Sequence, residues 1–131
     1  MTSRGQIVAL DDSPIVLEMV RLILEEAGFS ITTLSSPIGF TNTVRKLKPD
    51  VVLLDVEMPA MNGDKALALL EQHGVLEDVL IVFHSDRSES ELEALVQRTA
   101  ASGYIRKTSD DVAFVRAVQS WVDESRARRG G

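Results

Sequence analysis

The sequence predicts an α/β fold in which helices cover both faces of a five-stranded parallel sheet. The first observation is the run Val51–Leu54, four apolar residues that are typical of a strand buried on both of its faces. The second is that short apolar runs alternate with segments whose apolar residues recur at helical spacing, in the order βαβαβαβαβα. The connections are a few residues long, and right-handed crossovers then place helices on both faces of the sheet.

The length and composition predict a single folded domain. A chain of 131 residues can bury a sizeable core, and we expect one domain over 1–131, with its core over 6–123 and a flexible tail over 124–131. The absence of cysteine excludes disulfides and thiolate metal sites. The two histidines lie far apart along the chain, which argues against a zinc site.

Charge and hydropathy narrow the classes of partner. No apolar run approaches the roughly 20 residues of a membrane span, and the short polar N-terminus does not resemble a signal peptide. We therefore expect a cytoplasmic protein with no membrane contact. The net charge of −6 argues against direct nucleic-acid binding. The C-terminal cluster Arg126, Arg128 and Arg129 is too small to reverse that balance and is expected to be a solvated tail.

The predicted strands are the apolar runs, and each is followed by a helix-start signal. The strands are expected over Gln6–Leu10, Phe29–Leu34, Val51–Leu54, Val79–His84 and Gly103–Arg106. The helix starts are expected at Ser13-Pro14, Ser36-Pro37, the capping residue Asn62, the capping box Ser88 to Glu91, and a cap at Thr108 or Ser109. The apolar stripes on these helices, such as Ile15, Met19, Leu22 and Ile23, are interpreted as core.

Acidic, hydroxyl and basic side chains lie at the carboxyl ends of four of the predicted strands. Asp11 and Asp12 follow the first strand, Asp55 the third, Ser85 the fourth and Lys107 the fifth. The carboxyl ends of parallel strands share one edge of the sheet. Ligands bind at that edge where the strand order switches, as it does between strands one and three in the order 2-1-3-4-5.

The chemistry of these side chains indicates a metal and a phosphate group. Converging carboxylates repel one another unless a cation joins them. Mg²⁺ suits oxygen ligands and is typically held by one or two carboxylates plus phosphate oxygens. The hydroxyl of Ser85 and the ammonium of Lys107 would suit a phosphate, so a carboxylate that accepts a phosphoryl group, Asp55, fits this set.

Each of these residues also has a simpler interpretation. Asp11 and Asp12 could be acids favoured by the N-terminal dipole of the first helix. Ser85 could be a turn residue, and Lys107 an ordinary solvated lysine. Tyr104 could simply pack on an edge strand. His84 is interpreted as a packing residue at a strand end rather than a catalyst.

Taken together, the pieces resemble the receiver domain of two-component response regulators, of the single-domain type similar to chemotaxis regulators. The matching pieces are Asp11-Asp12, the motif over 55–63 (DVEMPAMNG), Ser85, and the run over 103–107 (GYIRK). The resemblance covers residues 6 to about 123, and the five-part pattern in order is far more specific than any one part. It implies a flavodoxin-like (βα)5 three-layer sandwich.

The resemblance also implies roles for individual residues. Asp55 would be the phosphoacceptor and a ligand of Mg²⁺. Asp12 would bind Mg²⁺ directly, Asp11 would help through a water molecule, and the main-chain carbonyl of Glu57 would be a further ligand. Ser85 would donate a hydrogen bond to the phosphoryl group and Lys107 would pair with it. Ser85 and Tyr104 would form the switch, in which the aromatic side chain turns inward as the hydroxyl moves toward the phosphate.

Three features depart from the family pattern. Asp86 stands where a small residue usually borders the phosphoryl site. Thr108 follows Lys107, where the family usually has a proline after a cis bond; a cis bond before Thr costs roughly 2.5–4 kcal/mol, so we expect trans. Glu57 and Arg87 occupy two variable positions beside the site, where their opposite charges could pair across its entrance.

The function implied is that of a two-component phosphorelay protein, and two other classes stay open. A histidine kinase or phosphotransfer protein would phosphorylate Asp55, and the output would be an unknown protein partner of a monomer or phosphorylation-dependent dimer. Such a protein catalyses only its own phosphorylation and dephosphorylation. The alternatives are a phosphorylation-independent scaffold, favoured by Asp86, and an aspartyl-phosphate hydrolase with Glu57 as general acid and base.

Overall fold

The five strands form one parallel sheet, as the sequence predicts. A computed structural model describes residues 3–57, 63–72, 74 and 79–130. The strand order is β2-β1-β3-β4-β5, and every neighbouring pair is parallel. The strands are β1 (Gln6–Leu10), β2 (Ser30–Leu34), β3 (Val51–Leu54), β4 (Leu80–Ser85) and β5 (Gly103–Arg106). The expected order 2-1-3-4-5 is therefore confirmed.

The helices alternate with the strands along the chain. They are α1 (Pro14–Glu26), α2 (Phe40–Leu47), α3 (Gly63–Gln72), α4 (Glu89–Arg98) and α5 (Asp111–Gly130). Ser13 caps α1 and Ser88 caps α4, each accepting a hydrogen bond from a backbone N–H three residues on. The predicted cap Asn62 lies outside the described residues. None of the helices in the described part of the chain is long and apolar enough to cross a membrane.

The sheet separates two apolar layers because successive strand residues point to opposite faces. On one face Val8, Val52 and Ile81 pack with α2, α3 and α4. On the other face the intervening residues, such as Leu53 and Val82, pack with α1 and α5. All four residues of β3 are fully or almost fully buried, which confirms that this strand lies at the centre of the sheet.

Helix α2 begins three residues later than its Ser-Pro signal predicts. Ser36 accepts a hydrogen bond from the Ile38 N–H (3.2 Å) and so forms a local turn instead of a cap. Gly39 then adopts a left-handed conformation (φ 79°), and the helix starts at Phe40. The large buried ring of Phe40 fixes this start, because it must enter the core.

The apolar stripe predicted as the core face of α1 is only partly buried. Leu17, Val20 and Leu24 face the sheet, whereas Ile15 and Met19 are 74% and 50% exposed. Leu22 is also exposed. The helix is apolar around more of its circumference than the sheet can cover, so the prediction that this whole stripe is core is wrong.

The start and the end of α5 also differ from the sequence predictions. Asp110, not Thr108 or Ser109, caps the helix: its Oδ1 accepts from the Ala113 N–H (3.0 Å). The expected flexible tail is instead helical as far as Gly130. Arg129 donates to the buried carboxylate of Asp50 (3.0 Å), so the prediction of a solvated arginine cluster is wrong for this residue.

Asp50 anchors the C-terminal end of α5 to the start of β3. Its Oδ2 accepts from the Gln6 N–H (2.9 Å) and lies 3.7 Å from Nη2 of Arg126. Arg129 also donates to the main-chain carbonyl of Pro49 (2.8 Å). A buried carboxylate needs such partners, because an unpaired charge in the interior is costly.

We predict that Arg129→Ala lowers the free energy of unfolding by about 1–3 kcal/mol, because it removes charged hydrogen bonds from a buried acceptor. Arg128→Ala is the matched control: Arg128 pairs only on the surface with Glu124, and its loss costs less than about 0.5 kcal/mol. Urea unfolding of both variants checks this. Equal small losses would contradict the anchoring role of Arg129.

Candidate functional site

The acidic residues of the site are placed by the pairing of β1 with β3. The Asp55 N–H donates to the Leu10 carbonyl (2.9 Å), so the parallel pairing continues one residue beyond the strands. Asp11 follows Leu10 directly, and its own N–H donates to the Leu34 carbonyl of β2 (3.1 Å). The two acids are thereby fixed side by side at the carboxyl edge of the sheet.

Three carboxylates meet at this edge. Oxygen atoms of Asp11, Asp12 and Asp55 all lie within 4.8 Å of one another. Asp11 and Asp55 are buried, at 3% and 6% exposure, while Asp12 is exposed. The Ser13 N–H donates to Oδ1 of Asp11 (2.9 Å), and the Glu57 N–H points to Oδ1 of Asp55 at 3.4 Å.

Lys107 supplies the positive charge at the centre of the cluster. Its Nζ lies 3.1 Å from Oδ2 of Asp11 and 3.7 Å from Oδ1 of Asp55. The Lys107 N–H donates to the Ser85 carbonyl (2.8 Å), which continues the pairing of β4 with β5 and holds the lysine in place. The Lys107–Thr108 peptide bond is trans, as predicted.

The electrostatics of the cluster are unfavourable to the charge on Asp55. Burial, together with the charge of Asp11, raises the pKa of Asp55 to about 6, although Lys107 opposes this shift. Burial alone would lower the pKa of Lys107. The close contact and charge of Asp11, with the charges of Asp55 and Asp86, outweigh burial and raise it. A further cation would therefore be stabilised here.

The residues present fit a hard divalent cation. Oδ2 of Asp11 is buried, and no residue that the structure describes donates a hydrogen bond to it, although Nζ of Lys107 lies 3.1 Å away. Such an oxygen is an available ligand, and Asp12 and Asp55 supply others within 4.8 Å. An all-oxygen set of this kind suits Mg²⁺ better than a softer transition metal.

A cavity of about 190 Å³ opens beside the cluster, large enough for a phosphoryl group and several waters. It is lined by Asp11, Asp12, Ser13, Asp55, Glu57, Ser85, Asp86, Arg87 and Lys107. All the side chains predicted for the site thus come together, apart from Tyr104, which lies away from the cavity on β5. Ser85 is buried, and its Oγ accepts from the Arg87 N–H (3.1 Å).

Glu57 and Arg87 pair across the mouth of this cavity, as the sequence suggests. Arg87 Nε donates to Oε1 of Glu57 at 2.8 Å. The Arg87 carbonyl accepts from Arg106 Nε of β5 (3.0 Å), a contact that sequence reasoning missed. No spacing in the sequence indicates this contact, because it joins the side chain of a β5 residue to a main-chain carbonyl that follows β4.

Tyr104 faces outward in this structure. Its hydroxyl donates to Oε1 of Glu93 on α4 (3.3 Å), and its side chain is half-buried between α4 and β5. The contact with α4 agrees with edge-strand packing. The Tyr104 ring thus lies against α4, on the surface formed by α4 and β5 where the switch implied by the resemblance would act.

His84 packs at the end of β4, as expected. Its ring lies 5.3 Å from that of Phe114 on α5. Burial, assisted by the nearby charge of Lys107, lowers the pKa of His84 to about 4, so the imidazole is neutral near pH 7. It also lines a small apolar cavity between α1 and α5.

Comparison with known proteins identifies the family. A family model described as the response regulator receiver domain matches residues 7–119. The chain belongs to this family, the receiver domains of two-component systems, and the resemblance seen in the sequence is confirmed. Members of the family typically bind Mg²⁺ at an acidic pocket, and this chain has a cluster of three aspartates, Asp11, Asp12 and Asp55.

Several bacterial regulators are similar in sequence. The DNA-binding response regulator MtrA of Mycolicibacterium smegmatis is 30% identical over 119 residues, which are 88% of this chain and 51% of that protein. The nitrate/nitrite response regulator protein NarP of Escherichia coli is 31% identical over 123 residues, 92% of this chain and 56% of that protein. The chain thus spans about half the length of the curated relatives it matches.

Solved structures share the fold. The chemotaxis protein CheY4 of Vibrio cholerae superposes with a TM-score of 0.80 at 22% identity, covering 88% of this chain and 97% of that one. A CheY-like receiver domain protein from Methanospirillum hungatei gives 0.81 at 24% identity, covering 95% and 98%. These likenesses confirm the flavodoxin-like fold class.

We predict that Asp55→Asn stabilises the metal-free protein at pH 7.5 by about 1–3 kcal/mol, because an ionised Asp55 is disfavoured in the fold. The pKa of Asp55 rises on folding from 3.8 to about 6. The folded state therefore binds the extra proton between these values, and stability is lost as the pH rises through that window.

The gain from Asp55→Asn should be complete above about pH 6.5 and shrink as the pH falls toward 4. Urea unfolding in EDTA at several pH values measures it. Glu26→Gln, which neutralises an exposed acid on α1, is the control and should change little. A gain from Asp55→Asn that does not depend on pH would contradict the electrostatic explanation.

Proposed function

We propose that this protein receives a phosphoryl group on Asp55 from a histidine kinase or phosphotransfer protein, and so acts as a phosphorylation-controlled switch in the cytoplasm. The observation that carries the proposal is the meeting of Asp11, Asp12 and Asp55 within 4.8 Å, with Lys107 Nζ 3.7 Å from Asp55. This set contains an acceptor, metal ligands and a phosphate-binding cation in one cavity.

The proposed chemistry uses Asp55 as nucleophile. Its carboxylate oxygen attacks phosphorus of the donor, and the bond from phosphorus to the donor nitrogen or oxygen breaks. With a pKa of about 6, Asp55 is mostly ionised at neutral pH and ready to attack. Mg²⁺, held by Asp11, Asp12, Asp55 and the Glu57 carbonyl, would supply charge neutralisation for the phosphoryl oxygens.

Lys107 and Ser85 would hold the phosphoryl group once it is transferred. Lys107 is within reach of Asp55 and would exchange part of its contact with Asp11 for a phosphoryl oxygen. The Ser85 hydroxyl would donate to another oxygen. We infer no turnover of an external substrate: the protein would catalyse only its own phosphorylation and dephosphorylation.

The surface of α1 supports docking of a protein partner beside the site. Ile15, Met19 and Leu22 are large apolar side chains exposed to solvent, and α1 starts just after Asp11 and Asp12. A partner helix placed there would bring its phosphorylated side chain to the cavity. The output would be another protein, bound by a monomer or a phosphorylation-dependent dimer, and we propose no direct contact with nucleic acid or membrane.

The hydrolase alternative loses support from the position of Glu57. A general acid and base must reach the phosphoryl group. The Glu57 side chain is 69% exposed and paired with Arg87 at 2.8 Å, at the mouth of the cavity. The scaffold alternative differs from our proposal in one measurable property, the lack of phosphorylation.

We predict that acetyl phosphate with MgCl2 adds one phosphoryl group to the wild-type protein, seen by intact-mass spectrometry, and none to Asp55→Asn. EDTA should abolish the reaction, and Asp12→Asn should slow it by about tenfold or more because a metal ligand is lost. Glu26→Gln serves as the matched control. An unmodified wild type under these conditions would favour the phosphorylation-independent scaffold.

We also predict that beryllofluoride, a phosphoryl mimic, changes the backbone NMR signals of α4, β5 and the start of α5. The reason is that Ser85 and Lys107 lie at the roots of these elements, and Tyr104 contacts α4 through Glu93. The amides of β2 are the internal control. Shifts confined to residues that line the cavity, with none around Tyr104, would contradict the switch.

A further inference from the structure

Arg87 connects three elements around the cavity. Its guanidinium Nε donates to Glu57, in the segment after β3, at 2.8 Å. Its N–H donates to the Ser85 hydroxyl oxygen (3.1 Å), and its carbonyl accepts from Arg106 Nε of β5 (3.0 Å). The main chain of Arg87 is therefore held at both polar groups, while its side chain lies over the mouth of the cavity.

The charges that line the cavity leave Arg87 poorly matched to its present partner. Among the described lining residues, the acids are Asp11, Asp12, Asp55, Glu57 and Asp86, and the cations are Arg87 and Lys107. Lys107 is already engaged by two buried acids. Arg87 is instead paired with a carboxylate that is 69% exposed, and ion pairs of that kind contribute little to stability.

A phosphoryl group on Asp55 would change this balance. It carries about −1.5 to −2 charges and three strong acceptor oxygens. The planar guanidinium can donate two parallel hydrogen bonds to such a group. Its present bond to Glu57 uses only Nε and leaves this capacity partly unused. Because Arg87 is tied to Ser85 through its N–H, the hydroxyl and the guanidinium would approach the phosphoryl group from the same segment.

We propose that Arg87 is a second phosphate-binding residue, which releases Glu57 and binds the phosphoryl group on Asp55. The proposal rests on the proposed phosphorylation of Asp55. In this arrangement Glu57 is a competitor that holds Arg87 aside until the phosphoryl group is present. The two side chains then have opposite effects on phosphate affinity, although they form one ion pair.

The test is the dissociation constant of beryllofluoride, measured with MgCl2 by NMR titration in wild type, Arg87→Gln, Glu57→Gln and the double variant. Arg87→Gln should weaken binding roughly tenfold, as expected for a lost charged hydrogen bond. Glu57→Gln keeps the main-chain carbonyl and should tighten binding about threefold or more, since the guanidinium is released.

The double variant separates exchange from simple charge effects. In the Arg87→Gln background, Glu57→Gln should give no further tightening, because there is no guanidinium left to release. Arg128→Gln removes an arginine charge at the far end of α5 and should leave the affinity unchanged. If Glu57→Gln tightens binding equally in both backgrounds, or if both single variants weaken it, the exchange is wrong.

Failure of this inference can be told apart from failure of the proposed function. The same wild-type sample is treated with acetyl phosphate and weighed by mass spectrometry. Phosphorylated wild type without coupling between the two positions would overturn only the role of Arg87. Wild type that neither gains a phosphoryl group nor binds beryllofluoride would overturn both.

Discussion

The repulsion between carboxylates at one edge of the sheet is the constraint on which the site depends. Asp11 and Asp55 are buried beside each other, with Asp12 near them, and Lys107 alone among the described cations lies within 4 Å of both buried acids. Burial and mutual repulsion keep the pKa of Asp55 near 6. The fold thus maintains an excess of negative charge that a divalent cation would relieve.

The parallel sheet can hold this arrangement because apolar layers cover both of its faces. The pairing of β1 with β3 places Asp55 next to Leu10, and the pairing of β4 with β5 places Lys107 next to Ser85. These main-chain hydrogen bonds fix the carboxyl ends of β1 and β3, and of β4 and β5, relative to each other. The energy that holds the acids together comes from buried strands such as β3, not from the site itself.

The sequence was most informative where one signal dominated. Apolar runs predicted the strands, and the residues after them predicted the site, because parallel strands end at one edge. The start of α2 was mispredicted because a Ser-Pro turn resembles a helix cap, while burial of Phe40 decides where the helix begins. The Asp50 contact with Arg129 could not be predicted, since it joins residues 79 positions apart.

The local sequence pattern also could not show which apolar residues of α1 are buried against the sheet. Ile15 and Leu17 are both apolar and lie two positions apart on α1, yet Ile15 is 74% exposed and Leu17 is buried. Two positions on a helix are about 200° apart, so these side chains lie on opposite faces of α1, and contact with the sheet decides which face is buried. The ion pair of Glu57 with Arg87 was anticipated, whereas the main-chain tie from Arg106 depends on the position of β5 and was not.

The central claim is that cation binding relieves the repulsion on Asp55, and the carboxyl carbon of this residue reports it directly. A pH titration followed by ¹³C NMR should give a pKa near 6 for Asp55 without metal. Saturating Mg²⁺ should lower that pKa, because a bound cation favours the ionised form. A pKa near the ordinary value without metal, or one that Mg²⁺ does not change, would contradict the account.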